Sequence, residues 1–556
     1  MYSCINRRTR GGHAVSEGLR TTFEELSKTD NEAAASVLVS AIDSPYEAVR
    51  EGALRAILAR RSHTGQRELI RRLHVIDERW RSIINENRGR MTNALRDAIL
   101  DSDPRMFANG CQGVLWFADY DLVPALVHAA EAESNPHAEA AAATLLNLVG
   151  LLYDELAQPR DYSNRRDPQL VRRNVTVSLE QSVKRFPKHQ RKEVIESFLV
   201  LAGRDNATLK RILMDPFDGS YLAVLDAMTH SHRAGVMRLL ISYLDDPQPP
   251  SAAIGSLAHR DDFKFVRHLL RKVADGRSDN TLHNLKRIES FVWLRDDYAL
   301  VDRLDESSQR AAVHLAVASG MKRADVFRLI DHLMAGGKTK GRRAAALALA
   351  AFTGAEANAL AMRALADDDP HVQAAVLSQI RNRGIPGALP KLIEMIDSPH
   401  EVIRDAAQGS LGEFSFRRFL AAYDMIDEEV RRSTGMLVKK IDPTTIPMLK
   451  EQLSSKSRTR RLRSLSLAAT IDAVDELGDM IIGLLSDGDH LVRGEAARAL
   501  AGGRSPAVIA ALEEALDDSS TAVREAAAES LERIHMAHPP AAAESEPAAR
   551  QEATDE

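Results

Sequence analysis

The sequence predicts an all-α fold, an α-solenoid of stacked helical hairpins, and two observations carry that prediction. The first is a recurring phrase: an apolar residue, Arg, two residues, a small residue, three residues and an apolar residue. The second is an apolar stretch of helical period between successive phrases, as at Leu389, Leu392, Ile393 and Ile396. Spacings of three and four place such residues on one face of a helix.

The phrase returns at a regular interval. Its Arg position falls every 27 to 33 residues, at Arg310, Arg343, Gln373, Arg404, Arg431, Arg463, Arg493 and Arg524. Each unit is therefore predicted to contain a first helix, a tight turn and a second helix. One such hairpin cannot bury its apolar face alone, so neighbouring hairpins must stack.

The turn has its own chemistry. In several units an aspartate lies seven residues before the Arg position, at Asp43, Asp397, Asp424 and Asp517. A carboxylate here can accept hydrogen bonds from the free N–H groups that begin the second helix. Pro45, Pro370 and Pro399 fit the turn or the first helical turn, where a missing N–H costs nothing.

An Asp followed seven residues later by the Arg of a Val-Arg-x-x-Ala sequence resembles a HEAT repeat, of the short Ala-rich bacterial kind also seen in phycobilisome-lyase HEAT-like proteins. The resemblance covers about 300–535 and 33–61. It implies a right-handed superhelix, an Asp–Arg ladder along the turns, and second helices that line a concave surface. The expected ladder comprises Asp43, Arg50, Asp397, Arg404, Asp424, Arg431, Arg493, Asp517 and Arg524. Gln373 interrupts this ladder, and Lys456 stands where Arg463 would need its Asp.

Composition changes divide the chain into five predicted segments. They are a disordered N-terminus at 1–15, partly degenerate helical repeats at 16–158, a diverged helical middle with a basic loop at 159–300, a regular repeat array at 301–536, and a disordered acidic tail at 537–556. The tail is rich in Pro, Ala and Glu and cannot bury apolar area.

Charge and cysteine content narrow the class of protein. A formal net charge of −5 excludes both a strongly basic nucleic-acid binder and an acidic disordered chain. Two cysteines, Cys4 and Cys111, exclude a disulfide framework and suit a reducing, cytoplasmic compartment. The apolar run Ala140–Tyr153 is too short to span a membrane, so we expect a buried helix there and no membrane span.

Two basic clusters are candidate contacts for an anionic partner. One lies in 159–192 and includes Arg165, Arg166, Arg172 and Arg173; the other lies in 456–463 and includes Arg458, Arg460 and Arg461. Each could bind phosphate, nucleic acid or an acidic peptide, or could be a solvated turn or helix face, which the sequence favours. Residues one and five past the Arg position should face outward, and they form no basic stripe. A nucleic-acid groove is therefore not favoured.

No nucleophile motif, carboxylate pair or metal-ligand spacing stands out, so we expect no catalytic residue, metal or cofactor. The favoured function is a non-enzymatic scaffold that holds a protein or peptide on its concave second-helix surface. One alternative is a nucleic-acid or anion binder that uses the two basic clusters. Another is a lyase-type enzyme or assembly factor, because HEAT-like folds include bilin lyases and DNA glycosylases.

Overall fold

The computed structural model describes residues 17–60, 62–159, 167–276, 278–295, 297–503 and 505–537. Their regular structure consists of α-helices and short 3-10 helices, and no β-strand occurs among them. The all-α prediction is therefore confirmed. The ends predicted to be disordered, 1–15 and 537–556, lie outside the described residues except for Ala537, which ends the last helix.

The α-helices follow one another in this order: α1 (Glu17–Lys28), α2 (Ala33–Ile42), α3 (Glu47–Arg60), α4 (His63–Arg71), α5 (Glu78–Glu86), α6 (Thr92–Ile99), α7 (Pro104–Phe117), α8 (Val123–Glu131), α9 (Ala138–Ala157), α10 (Pro168–Lys184), α11 (Phe186–His189), α12 (Lys192–Leu201), α13 (Ala207–Met214), α14 (Tyr221–His230), α15 (Ala234–Ser242), α16 (Ser251–His259), α17 (Phe263–Asp275), α18 (Asp279–Leu285), α19 (Ala299–Arg303), α20 (Glu306–Ala318), α21 (Arg323–Gly336), α22 (Thr339–Ala348), α23 (Ala355–Ala364), α24 (Pro370–Ile380), α25 (Ala388–Met395), α26 (Glu401–Ser410), α27 (Phe416–Ala422), α28 (Glu428–Ile441), α29 (Thr445–Leu453), α30 (Arg458–Thr470), α31 (Val474–Leu484), α32 (His490–Ala499), α33 (Pro506–Ala515) and α34 (Thr521–Ala537). The 3-10 helices are Leu73–Val75, Arg88–Arg90, Tyr120–Leu122, Tyr243–Asp245, Val292–Leu294, Leu349–Ala351, Arg381–Arg383, Tyr423–Met425 and Leu500–Gly502.

The helices group into two compact units, unit 1 (Met1–His332) and unit 2 (Leu333–Glu556). In unit 2, α22, α24 and α26 contact one another in succession, and so do α28, α30, α32 and α34. Each helix from α24 onward in these series also contacts the helix just before it in the chain. This is a stack of helical hairpins, as predicted. In unit 1, α15, α17 and α20 form another succession of contacting helices.

Three of the second helices, α20, α24 and α32, begin on a capping aspartate. Asp369 precedes α24, and its side chain accepts the N–H of His371 at 3.1 Å. Asp489 does the same for Leu491 at 2.9 Å before α32. Pro370 is the first residue of α24, where no N–H is needed. These caps satisfy donors that the helix itself leaves free.

The core of unit 2 includes a continuous apolar cluster from Phe416 to Ile534. Helix α28 approaches its neighbours so closely that a Cβ on Gly435 would lie 2.6 Å from Cγ2 of Ile471. Gly494 on α32 has more room, because its nearest neighbour would be 3.9 Å away. Close packing therefore requires a glycine at the first position and not at the second.

A buried arginine holds one turn of unit 1. Arg260 is 1 % exposed. Its guanidinium donates to the carbonyls of Met228 at 3.0 Å and Ser231 at 2.8 Å, and to the Asp262 carboxylate at 2.8 Å. The side chain thus satisfies carbonyl groups near the C-terminal end of α14, which have no partner within the helix.

One described helix, α9, has the length and apolar composition of a membrane span. It is longer than the apolar run expected from the sequence, because it extends over 20 residues. Nine of these residues are buried, and α9 contacts α7, α8, α10 and α12. A helix that is buried to this extent among its neighbours is typical of a protein core.

Candidate binding surface of the second helices

The fourth residue of each second helix holds the turn that precedes it. In nine helices this residue is Arg or Gln, and its side chain donates to a backbone carbonyl at 2.6 to 3.1 Å. The nine are Arg50, Gln309, Arg342, Gln373, Arg404, Arg431, Arg461, Arg493 and Arg524. In six of them the acceptor is the residue six positions earlier in the chain. The side chain at the fourth position of the second helix therefore holds the turn that precedes it.

Three of these arginines also reach forward to a carboxylate in the next turn. Arg342 pairs with Asp367 at 2.9 Å, Arg461 with Asp487 at 3.0 Å, and Arg493 with Asp518 at 2.8 Å. The carboxylates also accept a backbone N–H two residues later, as from Asp369, Asp489 and Ser520. Each such pair therefore links two successive hairpins.

Asp518 shows the electrostatics of this link. Its carboxylate accepts two hydrogen bonds from Arg493, at 2.8 and 3.0 Å, and one from the Ser520 N–H at 2.7 Å. The Arg493 side chain foremost, and then the Ser520 N–H, lower the pKa of Asp518 to about 2. Both side chains of the pair are largely buried, at 14 % and 13 % exposure. The ion pair is thus better shielded from solvent than an ordinary surface pair.

The aspartates expected in the ladder have other partners. Asp43 pairs with Arg72 at 3.0 Å, Asp397 with Lys440, and Asp424 with Arg463 at 3.3 Å. The Asp517 carboxylate makes no hydrogen bond within the described part of the chain. The backbone carbonyl that accepts a hydrogen bond from the turn-binding arginine belongs to the residue after the expected aspartate, at Ser44, Ser398 and Asp518. The physical reason is that the earlier residue still closes the first helix: the Asp517 N–H bonds to the Glu514 carbonyl at 3.2 Å.

The structure also shifts the expected register in three of the helical repeats. The turn-binding residue is Gln309 rather than Arg310, Arg342 rather than Arg343, and Arg461 rather than Arg463. Counting five past the wrong residue placed Leu315 and Ala468 on the outer face, but both are fully buried. Counted from the observed helix starts, the ninth residue is never buried in the same nine helices.

The basic cluster at 159–192 is only partly described. Arg165 and Arg166 lie outside the described residues. Arg172 is half-buried and donates to the Leu201 carbonyl at 3.0 and 2.7 Å, so it holds the end of α12. Burial, and then the charge of Arg238, lower its pKa. Arg173 is exposed.

In the cluster at 456–463, most of the arginines have partners. Arg458 pairs with Asp489 at 3.3 Å, and Arg461 is the turn-binding residue described above. Arg463 pairs with Asp424, whereas Arg460 is exposed. Much of the positive charge here is therefore balanced within the fold.

Sequence reasoning missed a basic row in unit 1. The fifth residues of α15, α17 and α20 are Arg238, Arg267 and Arg310, and all three are exposed. We call them the arginine row. The irregular middle segment hid Arg238 and Arg267 from a search based on the repeat period, and the one-residue shift hid Arg310. Helix starts read from cap residues such as Asp262 and Asp305 would have revealed them.

Among the described residues, no group of three or more His, Cys, Asp or Glu side chains could hold a metal ion. The side chain of Cys111 is buried, and burial raises the pKa of its thiol. A buried thiol of this kind is a poor nucleophile.

A family model described as HEAT repeats matches residues 328–412 and 478–545. These two segments are therefore HEAT repeats. The matched segments contain several of the turn-binding side chains, from Arg342 to Arg524. No curated protein sequence matches the chain.

Solved structures of low identity are similar to this chain. One, from work on a phosphorylation switch between cadherin and beta-catenin, is 15 % identical over 91 % of this chain and 99 % of that one, with a TM-score of 0.36. UNC-45 from Drosophila melanogaster is 12 % identical over 93 % and 82 %, with a TM-score of 0.25. Human deoxyhypusine hydroxylase, an enzyme, is 16 % identical over 54 % and 96 %, with a TM-score of 0.16. These TM-scores are all below 0.5, so the fold class rests on the helices and their contacts.

Proposed function

We propose that this HEAT-repeat chain is a non-enzymatic scaffold that binds protein or peptide partners on the surface of its second helices. The HEAT resemblance implies that these helices line a concave surface. The turns are held by their own arginines, so the second helices present a preorganised face to a partner. The low cysteine content of the chain fits a cytoplasmic place of action.

The observation that carries the proposal is the ninth-residue row of unit 2. From α22 to α28 its members are uncharged and exposed: Leu347, Ser378, Gly409 and Met436. Leu347 is 63 % exposed and Met436 43 % exposed. Apolar side chains that water reaches on a rigid face are the kind that a partner buries.

The alternatives have less support. The described arginines of the two basic clusters are mostly engaged with carbonyls or carboxylates of the fold, which favours a structural role for them. The turn carboxylates Asp367, Asp487 and Asp518 likewise pair with arginines. Groups that are held in this way are not free to act as acids or bases.

Site-specific photo-crosslinking tests the proposal. A photoreactive amino acid replaces Leu347 or Met436 in the full chain, which is produced in its native cells. We expect discrete crosslinked protein adducts from both positions. Met362, an exposed methionine of the first helix α23, is the matched control and should give none.

A second variant checks that the ninth-residue row itself binds the partner. Leu347→Glu places a charge on the row, and it should abolish the adducts formed from Met436 while the helix content stays the same. Adducts that form equally from Met362, or that survive Leu347→Glu unchanged, would contradict binding at this surface.

A further inference from the structure

The arginine row has unbalanced positive charge. Arg238 and Arg310 form no ion pair with any described residue. Arg267 is 47 % exposed, and it forms a long ion pair with Asp305 at 4.0 Å. That carboxylate also caps α20, because it accepts the Ser308 N–H at 2.8 Å. The guanidinium groups of Arg238 and Arg310 therefore remain available to an external anion, and that of Arg267 is held by one long ion pair.

Helix α17 adds charge on either side of the row. Lys264 and Arg271 lie three positions before and four after Arg267, so they share its face, and both are exposed. His268 lies on the same face. Burial, and then the positive charges of Arg271, Lys264 and Arg267, lower the pKa of His268. Asp262 acts in the opposite direction, but the cations of this face outweigh it in their effect on His268.

The aromatic rings near the row are already covered. The Arg238 guanidinium lies 5.3 Å from the ring centre of Tyr153. Phe263 has Arg303 over its ring at 4.8 Å. Single-stranded nucleic acid gains much of its affinity by stacking bases on open aromatic faces. The row therefore offers charge without a stacking platform, which favours a protein partner over a nucleic acid.

A depression adjoins the Arg310 end of the row. It has a volume of about 680 Å³, and its lining includes the apolar side chains of Val273, Ala274 and Leu282. An apolar side chain of a bound segment can enter it while a neighbouring carboxylate meets Arg310.

We propose that the arginine row of α15, α17 and α20 binds an extended acidic protein segment that carries an apolar residue at the Arg310 end. This inference rests on the proposed scaffold function and names the chemistry of one partner. Packed helices lie about 8–10 Å apart, and an extended chain rises about 3.3 Å per residue. Carboxylates at every third residue of the segment therefore match the three arginines.

The test measures fluorescence anisotropy of a labelled peptide with glutamate at every third position and a leucine after the last glutamate. The full chain should bind it. The triple variant Arg238→Glu, Arg267→Glu and Arg310→Glu should weaken binding at least tenfold. A matched triple variant, Arg20→Glu, Arg96→Glu and Arg105→Glu, makes the same change in net charge at exposed cations elsewhere in unit 1, outside both basic clusters. It should stay within twofold of the unaltered chain.

Two further probes separate the competing explanations. An isomeric peptide with its glutamates in one block should bind more weakly, and equal binding would contradict the spacing argument. A single-stranded oligonucleotide of equal charge should bind less tightly than the peptide. Tighter oligonucleotide binding that the row variant abolishes would assign the row to nucleic acid and overturn the proposal, as would equal losses in both triple variants.

The scaffold function is judged separately. Crosslinking from Met436 in unit 2 is repeated in the arginine-row variant. If the acidic peptide fails to bind but the Met436 adducts persist, the arginine-row inference falls and the scaffold proposal stands. If the adducts are also absent from the unaltered chain, both fall.

Discussion

Replacing Asp518 with Asn tests the ion-pair link between successive hairpins. The amide can still accept the Ser520 N–H, so the variant Asp518→Asn removes mainly the charge that Arg493 holds. The pKa of Asp518 is lowered from 3.8 to about 2, which corresponds to at most about 2.5 kcal/mol of stability at neutral pH. With some screening at this nearly buried site, we expect a loss of about 2 kcal/mol.

The pH dependence has a definite sign. Because the pKa in the folded chain lies below its ordinary value of 3.8, the stabilisation is complete above about pH 5 and disappears as the pH falls toward 2. About 1 kcal/mol of it should be lost between pH 6 and pH 3. The Asp518→Asn variant lacks this titration, so the difference between the two proteins should shrink by that amount.

Hydrogen exchange of the α34 amides measures this local free energy, because an array of repeats need not unfold in one step. Asp517→Asn is the matched control: it removes the neighbouring exposed carboxylate and should change the opening free energy of α34 by less than about 0.5 kcal/mol. Equal losses in the two variants, or an Asp518→Asn loss that is the same at pH 3 and pH 6, would refute the reasoning.

Three further predictions concern packing, burial and register. Gly435→Ala should lower the thermal stability by about 1–3 kcal/mol, since its methyl group meets an isoleucine at 2.6 Å, whereas Gly494→Ala should be neutral or stabilising; equal melting shifts would contradict this. Arg260→Met should cost about 3–5 kcal/mol in urea unfolding, because buried carbonyls and a carboxylate lose their partner, and a loss below about 1 kcal/mol would show the contacts to be dispensable. Arg461→Ala should destabilise the chain by about 1–2 kcal/mol and Arg463→Ala by less than about 0.5 kcal/mol; the reverse order in calorimetry would restore the register expected from the sequence.

The sequence predicted the hairpin stack because its apolar residues keep helical spacing and its phrase keeps a period. It predicted the turn chemistry only approximately. Asp517 and Asp518 are adjacent acids, and only their position relative to the end of the first helix decides which one receives the arginine. Adjacent Arg342 and Arg343 posed the same ambiguity. Periodicity cannot decide between two adjacent positions when both hold residues of the same chemistry.

The surface was harder to predict than the stack. Whether Leu315 faces water or the core depends on a one-residue choice, since a step along a helix turns a side chain by about 100°. Arg238 and Arg267 lie in a stretch without the repeating phrase, so no period located them. Exposure and helix order were needed to show that they line up with Arg310.

Each turn-binding arginine recognises main-chain carbonyl oxygens, and this has a consequence for how the repeats can diverge. A carbonyl is the same whichever residue bears it: Arg50 and Arg404 donate to Ser and Pro, and Arg493 to Asp. Point substitutions within the loop thus leave the tether intact. The loops of different repeats can therefore diverge in sequence while the tether persists, provided that the fourth residue of the helix remains Arg or Gln.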